Sequence, residues 1–208
     1  MSEVVAILGV LGAGKDHHAD GFVAMGYVRI DFKDELLNMV SDMCGFDVRK
    51  EYDFFKHAIV GVRQPGTPIQ CGMVRSDMKD FAERNPGVMT GRKLLQRMGT
   101  DVMRKRNPNY WVDSYRVRVE AVCEPVVTAD CRFANEVQAI RDIGKHRFIF
   151  ADYRSYRYDA NATHESEWLA QALLKLGLKD GEEIGEAAFE QAAKIVEVRE
   201  EQWKQLVK

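Results

Sequence analysis

Residues 4–16 read VVAILGVLGAGKD, a stretch in which an apolar run is followed by a segment with three glycines. The apolar run at its start is typical of a short strand buried on both faces of a parallel sheet. Gly9, Gly14 and Lys15 then fit the spacing G-x-x-x-x-G-K. Glycines let successive backbone N–H groups surround phosphate oxygens, and a helix that begins at the lysine adds positive potential. The stretch therefore predicts a phosphate-binding loop between a strand and a helix.

The loop supplies the predicted contacts to the nucleotide. Lys15 is expected to project from it as an exposed side chain and to reach the β- and γ-phosphates. The alternative is an ordinary glycine turn between a strand and a helix. The predicted nucleotide-binding residues are Gly9, Leu11, Gly12, Ala13, Gly14, Lys15, Asp16 and His17.

Asp16 stands where phosphate loops usually carry a serine or threonine hydroxyl that binds magnesium. A carboxylate is also a hard oxygen ligand, so Asp16 is a candidate magnesium ligand. It also suits the start of a helix, and a capping role is the alternative.

The adjacent His17 and His18 point about 100° apart on a helix, which makes them a poor pair for one metal ion. We interpret them as residues of the first helical turn, with His17 facing the nucleotide.

A second candidate cluster follows the apolar run in PVVTAD, residues 125–130. Ligands of α/β proteins bind beyond the carboxyl ends of the strands, so Asp130 is expected near the loop. Asp130 is a second candidate magnesium ligand, and Arg132 would point at phosphate. Glu136, one helical turn further on, would orient Arg132. The alternative is a surface salt bridge between a strand and a helix.

Two further segments carry groups suited to phosphates. Arg92 and Gln96 lie four residues apart and share one helix face. This pairing suits contacts to a phosphate and to a base edge, and a solvated helix surface is the alternative. Residues 153–164, YRSYRYDANATH, contain Arg154 and Arg157. Such a segment after a late strand could form a lid that closes over phosphates, and a polar surface loop is the alternative.

Strands that alternate with helices predict an α/β fold with a parallel sheet covered by helices. We expect NPGVMTG (85–91) and RQPGTP (63–68) to be loops, and MVRSDMKDFAER (73–84) and GRKLLQRMGTDVMRKR (91–106) to be helices. The predicted strands are residues 3–9, 26–30, 125–130 and 146–153. Further helices are predicted at residues 15–25, 32–45, about 112–122 after a break at NPNYW (107–111), and 133–144, with two more in the C-terminal segment.

The composition narrows the class of protein. The chain has 208 residues, 46% of them hydrophobic, so one domain with a substantial core is expected. A formal net charge of −2 argues against nucleic-acid binding. The four cysteines form no CxxC pair, which predicts reduced thiols. We see no basic leader and no apolar run near the roughly 20 residues that span a bilayer, so a cytoplasmic protein without membrane partners is expected.

Together these pieces resemble the phage-type deoxynucleoside monophosphate kinases, a branch of the P-loop nucleoside monophosphate kinases. The likeness covers residues 4 to about 168, and four stretches carry it. They are GVLGAGKDHHAD, in which aspartate follows the lysine as is common in the family; GRKLLQRMGTDVMRKRNPNYWV, similar to R-x-L-x-Q-x-x-G-T-[DE] with a tryptophan soon after; VVTADCRFANE, similar to D-x-R-F-x-N-E; and THESE, similar to H-x-S-E. The chain departs from the family beyond residue 170, and a proline expected before Lys33 is absent.

The resemblance implies transfer of the ATP γ-phosphoryl group to a deoxynucleoside monophosphate (dNMP), with Mg²⁺ as cofactor, in a host cytoplasm if the chain is phage-encoded. It implies one P-loop kinase domain over residues 1–208, with a helical substrate-binding region at about 33–122 and a lid at 153–164. A homodimer is compatible with the sequence. The implied catalytic residues are Lys15, Asp130, Arg132, Arg154 and Arg157, and the implied dNMP-binding residues are Lys33, Arg92, Gln96, Trp111, Arg132 and Glu136.

Two alternatives stay open at this point. One is a P-loop kinase for another small acceptor, such as dephospho-coenzyme A or a sugar. The other is a nucleotide-binding protein without turnover, which would bind ATP and release no ADP with any acceptor. The sequence does not name the base of the acceptor, because base choice depends on the shape of a pocket.

Overall fold

The computed structural model describes residues 3–57, 59–62, 87–153 and 167–206. The chain divides into two compact units. Unit 1 comprises Met1–Phe32 and Ser114–Lys208, and unit 2 comprises Lys33–Asp113. The predicted loop at 63–68, the predicted helix at 73–84, and both lid arginines, Arg154 and Arg157, lie outside the described residues.

Unit 1 is built on a four-stranded sheet in which all strands are parallel. Its strands are β1 (Val4–Leu8), β2 (Val28–Arg29), β5 (Val126–Thr128) and β6 (His146–Phe150), in the order β2-β5-β1-β6. The register places Val4 beside Val126 on one side and beside His146 on the other. The predicted parallel sheet is therefore confirmed, with each strand inside or close to its predicted range.

The helices of unit 1 flank this sheet, and helices follow strands β1, β5 and β6 in the chain, as the alternating pattern predicts. They are α1 (Lys15–Ala24), α5 (Tyr110–Glu120, which begins in unit 2), α6 (Ala134–Ile143), α7 (Trp168–Lys175) and α8 (Glu186–Leu206). All five residues of β1 are buried, as expected for a central parallel strand. One cluster packs side chains of the strands against Ala19 of α1.

Unit 2 has its own hydrophobic core, which packs Leu37, Val40, Phe55, Leu94 and Met98 together with further apolar side chains. Its helices are α2 (Asp34–Cys44), α3 (Tyr52–His57) and α4 (Gly91–Gln96), and α4 continues as a π-helix over Arg97–Arg104. It also holds an antiparallel pair of strands, β3 (Ile59–Val62) and β4 (Gly87–Thr90).

One prediction for unit 2 is wrong, and a second is confirmed with a change in helix geometry. Residues 85–91 were expected to be a loop, but β4 occupies Gly87–Thr90 because it pairs with β3. Residues 91–106 are helical as expected, but the helix widens to π geometry at Arg97. Trp111 explains part of this change, since its indole N–H donates to the carbonyl of Gly99 inside the π segment at 2.9 Å.

No helix in the described part of the chain is both long enough and apolar enough to cross a membrane. Cys44, Cys123 and Cys131 are free thiols.

Candidate phosphate-binding site

The glycines of the predicted loop are required by its backbone and by its neighbours. Gly14 has φ of 90°, and a Cβ atom there would lie 2.9 Å from Cβ of Tyr153. A Cβ atom at Gly9 would collide with the carbonyl oxygen of Ala151. The segment after β6 holds the loop in this position, because Tyr153 N–H donates to the carbonyl of Ala13 at 3.0 Å. The loop is therefore a tightly fitted element rather than an open turn.

Lys15 is the first residue of α1, and its side chain folds back over the loop. Its Nζ donates to the carbonyl oxygens of Gly9 at 2.6 Å and Val10 at 2.7 Å. Only 7% of the residue is exposed, so the expected exposure of Lys15 is wrong. The two carbonyl bonds explain its burial, because they satisfy donors that would otherwise need water. The arrangement fixes a positive charge against the loop.

Asp16 forms an ion pair with Arg29 of β2. The helix cap is Gly14, and no side chain caps that end of α1, so the capping interpretation of Asp16 is wrong. The Asp16 carboxylate is 75% exposed, while Arg29 is 29% exposed and also contacts Asp31 at 3.1 Å. Burial works against the charge of Arg29, but Asp31 and Asp16 outweigh it and raise the arginine pKa above its ordinary value. Arg29 is thus held between two carboxylates.

Asp130 and Asp31 are both buried at the carboxyl ends of neighbouring strands. Asp130 Oδ1 accepts a hydrogen bond from Phe32 N–H at 2.9 Å. Asp31 Oδ1 accepts one from Ala129 N–H at 2.7 Å. The position of Asp130 at a strand end agrees with the sequence prediction. Asp31 was not singled out, although it follows β2 much as Asp130 follows β5, and that shared pattern could have found it.

Arg132 and Glu136 differ from their expected relationship. Glu136 is buried, and its Oε2 accepts the backbone N–H of Arg132 at 2.6 Å and that of Phe133 at 3.1 Å. It therefore fixes the backbone at the start of α6 rather than the side chain of Arg132. The Arg132 guanidinium instead donates from Nη1 to Oε1 of Glu167 at 2.7 Å. This burial also leaves Glu136 little surface for the predicted contact with a dNMP.

Glu167 is the residue that joins Arg132 to the loop. Its second oxygen, Oε2, accepts the backbone N–H of Leu11 at 3.0 Å. Glu167 is the last residue of the THESE stretch, which carried a family resemblance and no assigned role. No local pattern predicts its contacts, because Leu11 is 156 residues away in the chain.

Aromatic and acidic side chains surround the start of α1. The ring of His17 lies 5.3 Å from that of Tyr153, between centroids. His18 Nε2 and Asp180 Oδ1 are 2.8 Å apart, and the same oxygen accepts Asp152 N–H at 2.7 Å. Burial opposes ionisation of Asp180, but the Asp152 N–H and His18 outweigh it and lower the aspartate pKa. His17 thus lies beside the loop, as its predicted nucleotide contact requires.

In unit 2, Arg92 and Gln96 are exposed on α4, while Leu94 and Leu95 between them are buried. They are four positions apart, as the predicted phosphate contact requires. Lys33 is the residue before α2, and its Nζ lies 5.9 Å from the ring centroid of Tyr52.

Trp111 is a core residue of unit 2. It is 3% exposed and belongs to the hydrophobic cluster of that unit, and its one polar hydrogen is donated to Gly99. A side chain so enclosed has little surface for a ligand. We therefore assign Trp111 to the support of the π-helix rather than to direct contact with a dNMP.

The oxygen donors fit the magnesium expected from the sequence. Mg²⁺ in nucleotide sites usually takes one or two carboxylates and completes its shell with phosphate oxygens and water. Asp16 is exposed but is paired with Arg29 through Oδ1. Asp130 is engaged with Phe32 N–H through its own Oδ1. Either carboxylate would therefore bind the ion while it keeps these partners. Within the described ranges, no three His, Cys, Asp or Glu side chains converge as a metal site formed by protein alone.

No protein-family model matches the chain, and no curated protein shows significant similarity to it. The functional assignment therefore depends on the motifs and on the geometry of the loop.

Proposed function

We propose that the chain is an ATP-dependent dNMP kinase of the phage type, which transfers the γ-phosphoryl group of ATP to a dNMP and forms dNDP and ADP. One observation supports this most: a glycine loop with a buried lysine is tied through Glu167 to Arg132, which follows the neighbouring strand. Two cations held at one anion-binding loop suit the charge of a transferring phosphoryl group.

The residues of unit 1 would bind and orient the donor nucleotide. Backbone N–H groups of the loop and the Lys15 ammonium would hold the phosphates. Arg132 would neutralise charge that develops on the γ-phosphoryl oxygens. Asp16 and Asp130 would hold Mg²⁺, directly or through water, and the ion would neutralise phosphate charge. Phosphoryl transfer requires little covalent chemistry from the protein, so catalysis depends mainly on the positioning of the substrates and the neutralisation of phosphate charge.

The acceptor contacts are assigned to unit 2. Arg92 offers a planar set of donors to a monophosphate, and Gln96 can both donate to and accept from a base edge. Lys33 adds a further positive charge. The lid arginines Arg154 and Arg157 keep their proposed role, which is to close over the phosphates and exclude water.

A panel of acceptors tests the proposal. ADP release is measured with ATP, Mg²⁺ and each of the four common dNMPs, the matching ribonucleotides, dephospho-coenzyme A and a sugar. The proposal expects release with at least one dNMP and little with the other classes. Release only with dephospho-coenzyme A or the sugar would contradict it, and ATP binding without release would indicate a protein without turnover.

A further inference from the structure

Glu167 stands immediately before α7 and uses its two oxygens on two different partners. Oε1 accepts a hydrogen bond from Nη1 of Arg132 at 2.7 Å, and Oε2 accepts one from the backbone N–H of Leu11 at 3.0 Å. One carboxylate thus connects the phosphate loop with the arginine that follows β5. The connection is direct, because each contact is within hydrogen-bond distance.

The helix that carries Glu167 is itself fixed to the loop. Residues 168–173 of α7 are all buried. Ala170 packs in one cluster with Val10 and Ala13 of the loop, and Leu174 lies against the same cluster. The carboxylate therefore extends from a rigid helix whose position is set by the loop, which leaves it little freedom to move.

Arg132 keeps donors for another anion while it is paired. A guanidinium has five N–H donors in a planar fork. Within the described residues, the Arg132 side chain makes one hydrogen bond, from Nη1 to Glu167. The Arg132 side chain is 31% exposed and that of Glu167 is 18% exposed, so solvent screens their pairing less than that of a surface ion pair.

We propose that Glu167 is a positioning residue for the phosphoryl transfer. It orients the Arg132 guanidinium relative to the Leu11 segment of the loop, so that the remaining N–H donors face the phosphate held there. The inference rests on the proposed function, and it assigns a role to a side chain that touches neither the nucleotide nor the acceptor.

A competing role makes the opposite prediction. The Leu11 N–H and Arg132 both attract anions, so the Glu167 carboxylate could instead compete with phosphate for them. Loss of its charge would then tighten the binding of a phosphate chain and leave kcat unchanged. A positioning role requires the reverse, because a misplaced arginine chiefly weakens stabilisation of the transition state.

The test compares Glu167→Gln, Glu167→Asp, Arg132→Ala and the double variant Arg132→Ala/Glu167→Gln. The matched control is Glu186→Gln, which neutralises a glutamate paired with Arg141 at 2.7 Å on another part of unit 1. The readouts are kcat, KM for ATP, and the affinity for inorganic tripolyphosphate by titration calorimetry. The last measurement needs no turnover.

Glu167→Gln is expected to lower kcat by about tenfold to a hundredfold, as for a small misplacement of a catalytic group. KM for ATP and tripolyphosphate affinity should change less than kcat, and Glu167→Asp should recover part of the rate. The double variant should be no slower than Arg132→Ala alone, because Glu167 acts through Arg132.

Normal kcat in Glu167→Gln, tighter tripolyphosphate binding at unchanged kcat, or additive losses in the double variant would each overturn this inference alone. Absence of transfer by the wild-type protein with every acceptor would overturn the proposed function as well. A loss of the same size in Glu186→Gln would show a general effect of charge removal and would also overturn the positioning role.

Discussion

Asp31 and Asp130, at the ends of β2 and β5, each accept a hydrogen bond from the backbone N–H of the residue next to the other. The carboxylate of Asp130 accepts the N–H of Phe32, next to Asp31, and the carboxylate of Asp31 accepts the N–H of Ala129, next to Asp130. Both aspartates are buried. Each carboxylate therefore satisfies a backbone N–H donor at the end of the neighbouring strand. Asp130 thus has a structural role in addition to its proposed role near the nucleotide.

The two tasks of Asp130 can be separated by substitution. Asp130→Asn keeps an oxygen that can accept Phe32 N–H, whereas Asp130→Ala leaves that buried donor without its acceptor, which costs about 1–3 kcal/mol. We expect a clear loss in the free energy of unfolding for Asp130→Ala and a smaller one for Asp130→Asn, measured by chemical denaturation. Asp42→Ala, an exposed aspartate of α2, is the control. Equal losses in both Asp130 variants would contradict the structural role.

Lys15→Ala should affect both catalysis and stability. The side chain donates to two loop carbonyls in a buried setting, so its loss is expected to lower the free energy of unfolding by about 1–3 kcal/mol. Removal of a charge aimed at the transferring group should lower kcat by at least about a hundredfold. Both are measured below the melting temperature of the variant. Near-normal kcat in the folded variant would rule out the phosphate-loop assignment.

Asp16 and Asp20 form a matched pair for the magnesium question. Both lie on α1 close to Arg29, with side chains 75% and 74% exposed. If Asp16 binds Mg²⁺, Asp16→Asn should raise the Mg²⁺ concentration for half-maximal rate, because a neutral amide is a poorer ligand for a hard cation. Asp20→Asn should not.

Neither of these variants is expected to change the melting temperature much, since exposed ion pairs contribute about 0–1 kcal/mol. The Mg²⁺ titration of kcat is the deciding measurement. An equal Mg²⁺ midpoint in wild type and Asp16→Asn would leave Asp16 with the ion pair to Arg29 as its role.

Asp180 should make stability depend on pH in the acid range. Its pKa in the folded chain is lowered, so its ionised form stabilises the fold above about pH 4, and this contribution is lost as the pH falls through the folded pKa. Asp180→Asn is therefore expected to melt below wild type at neutral pH and to converge with it in stronger acid. Thermal melts between neutral and acid pH measure this. A gap that stays constant with pH would contradict the shift.

Much of unit 1 could be predicted because its signals are local. A continuous apolar run defined β1, and glycine spacing defined the loop. The contacts that complete the site could not be predicted in this way. Glu167 lies 35 residues from Arg132 and 156 from Leu11 in the chain. Hydrophobic periodicity and local motifs do not predict contacts between residues so far apart.

Unit 2 was harder to predict because tertiary contacts override its local preferences. β4 contains glycine and methionine in a short segment, and its extended form depends on pairing with β3. The π-helix likewise has the sequence pattern of an ordinary helix, and its hydrogen bond from Trp111 to Gly99 involves a residue that follows the π-helix in the chain.

The burial of Lys15 in unit 1 could not be predicted from local sequence either, since its carbonyl partners depend on the path of the loop.

Phosphoryl transfer to a dNMP can be followed directly by the transfer of label. The wild-type protein is incubated with Mg²⁺, ATP labelled at the γ-phosphate and the dNMP that gives the fastest ADP release, and the products are separated. We expect label in the β-phosphate of the dNDP, in amounts equal to the ADP formed, and loss of this product in Lys15→Ala. Label found only in inorganic phosphate, or no labelled product with any dNMP, would contradict it.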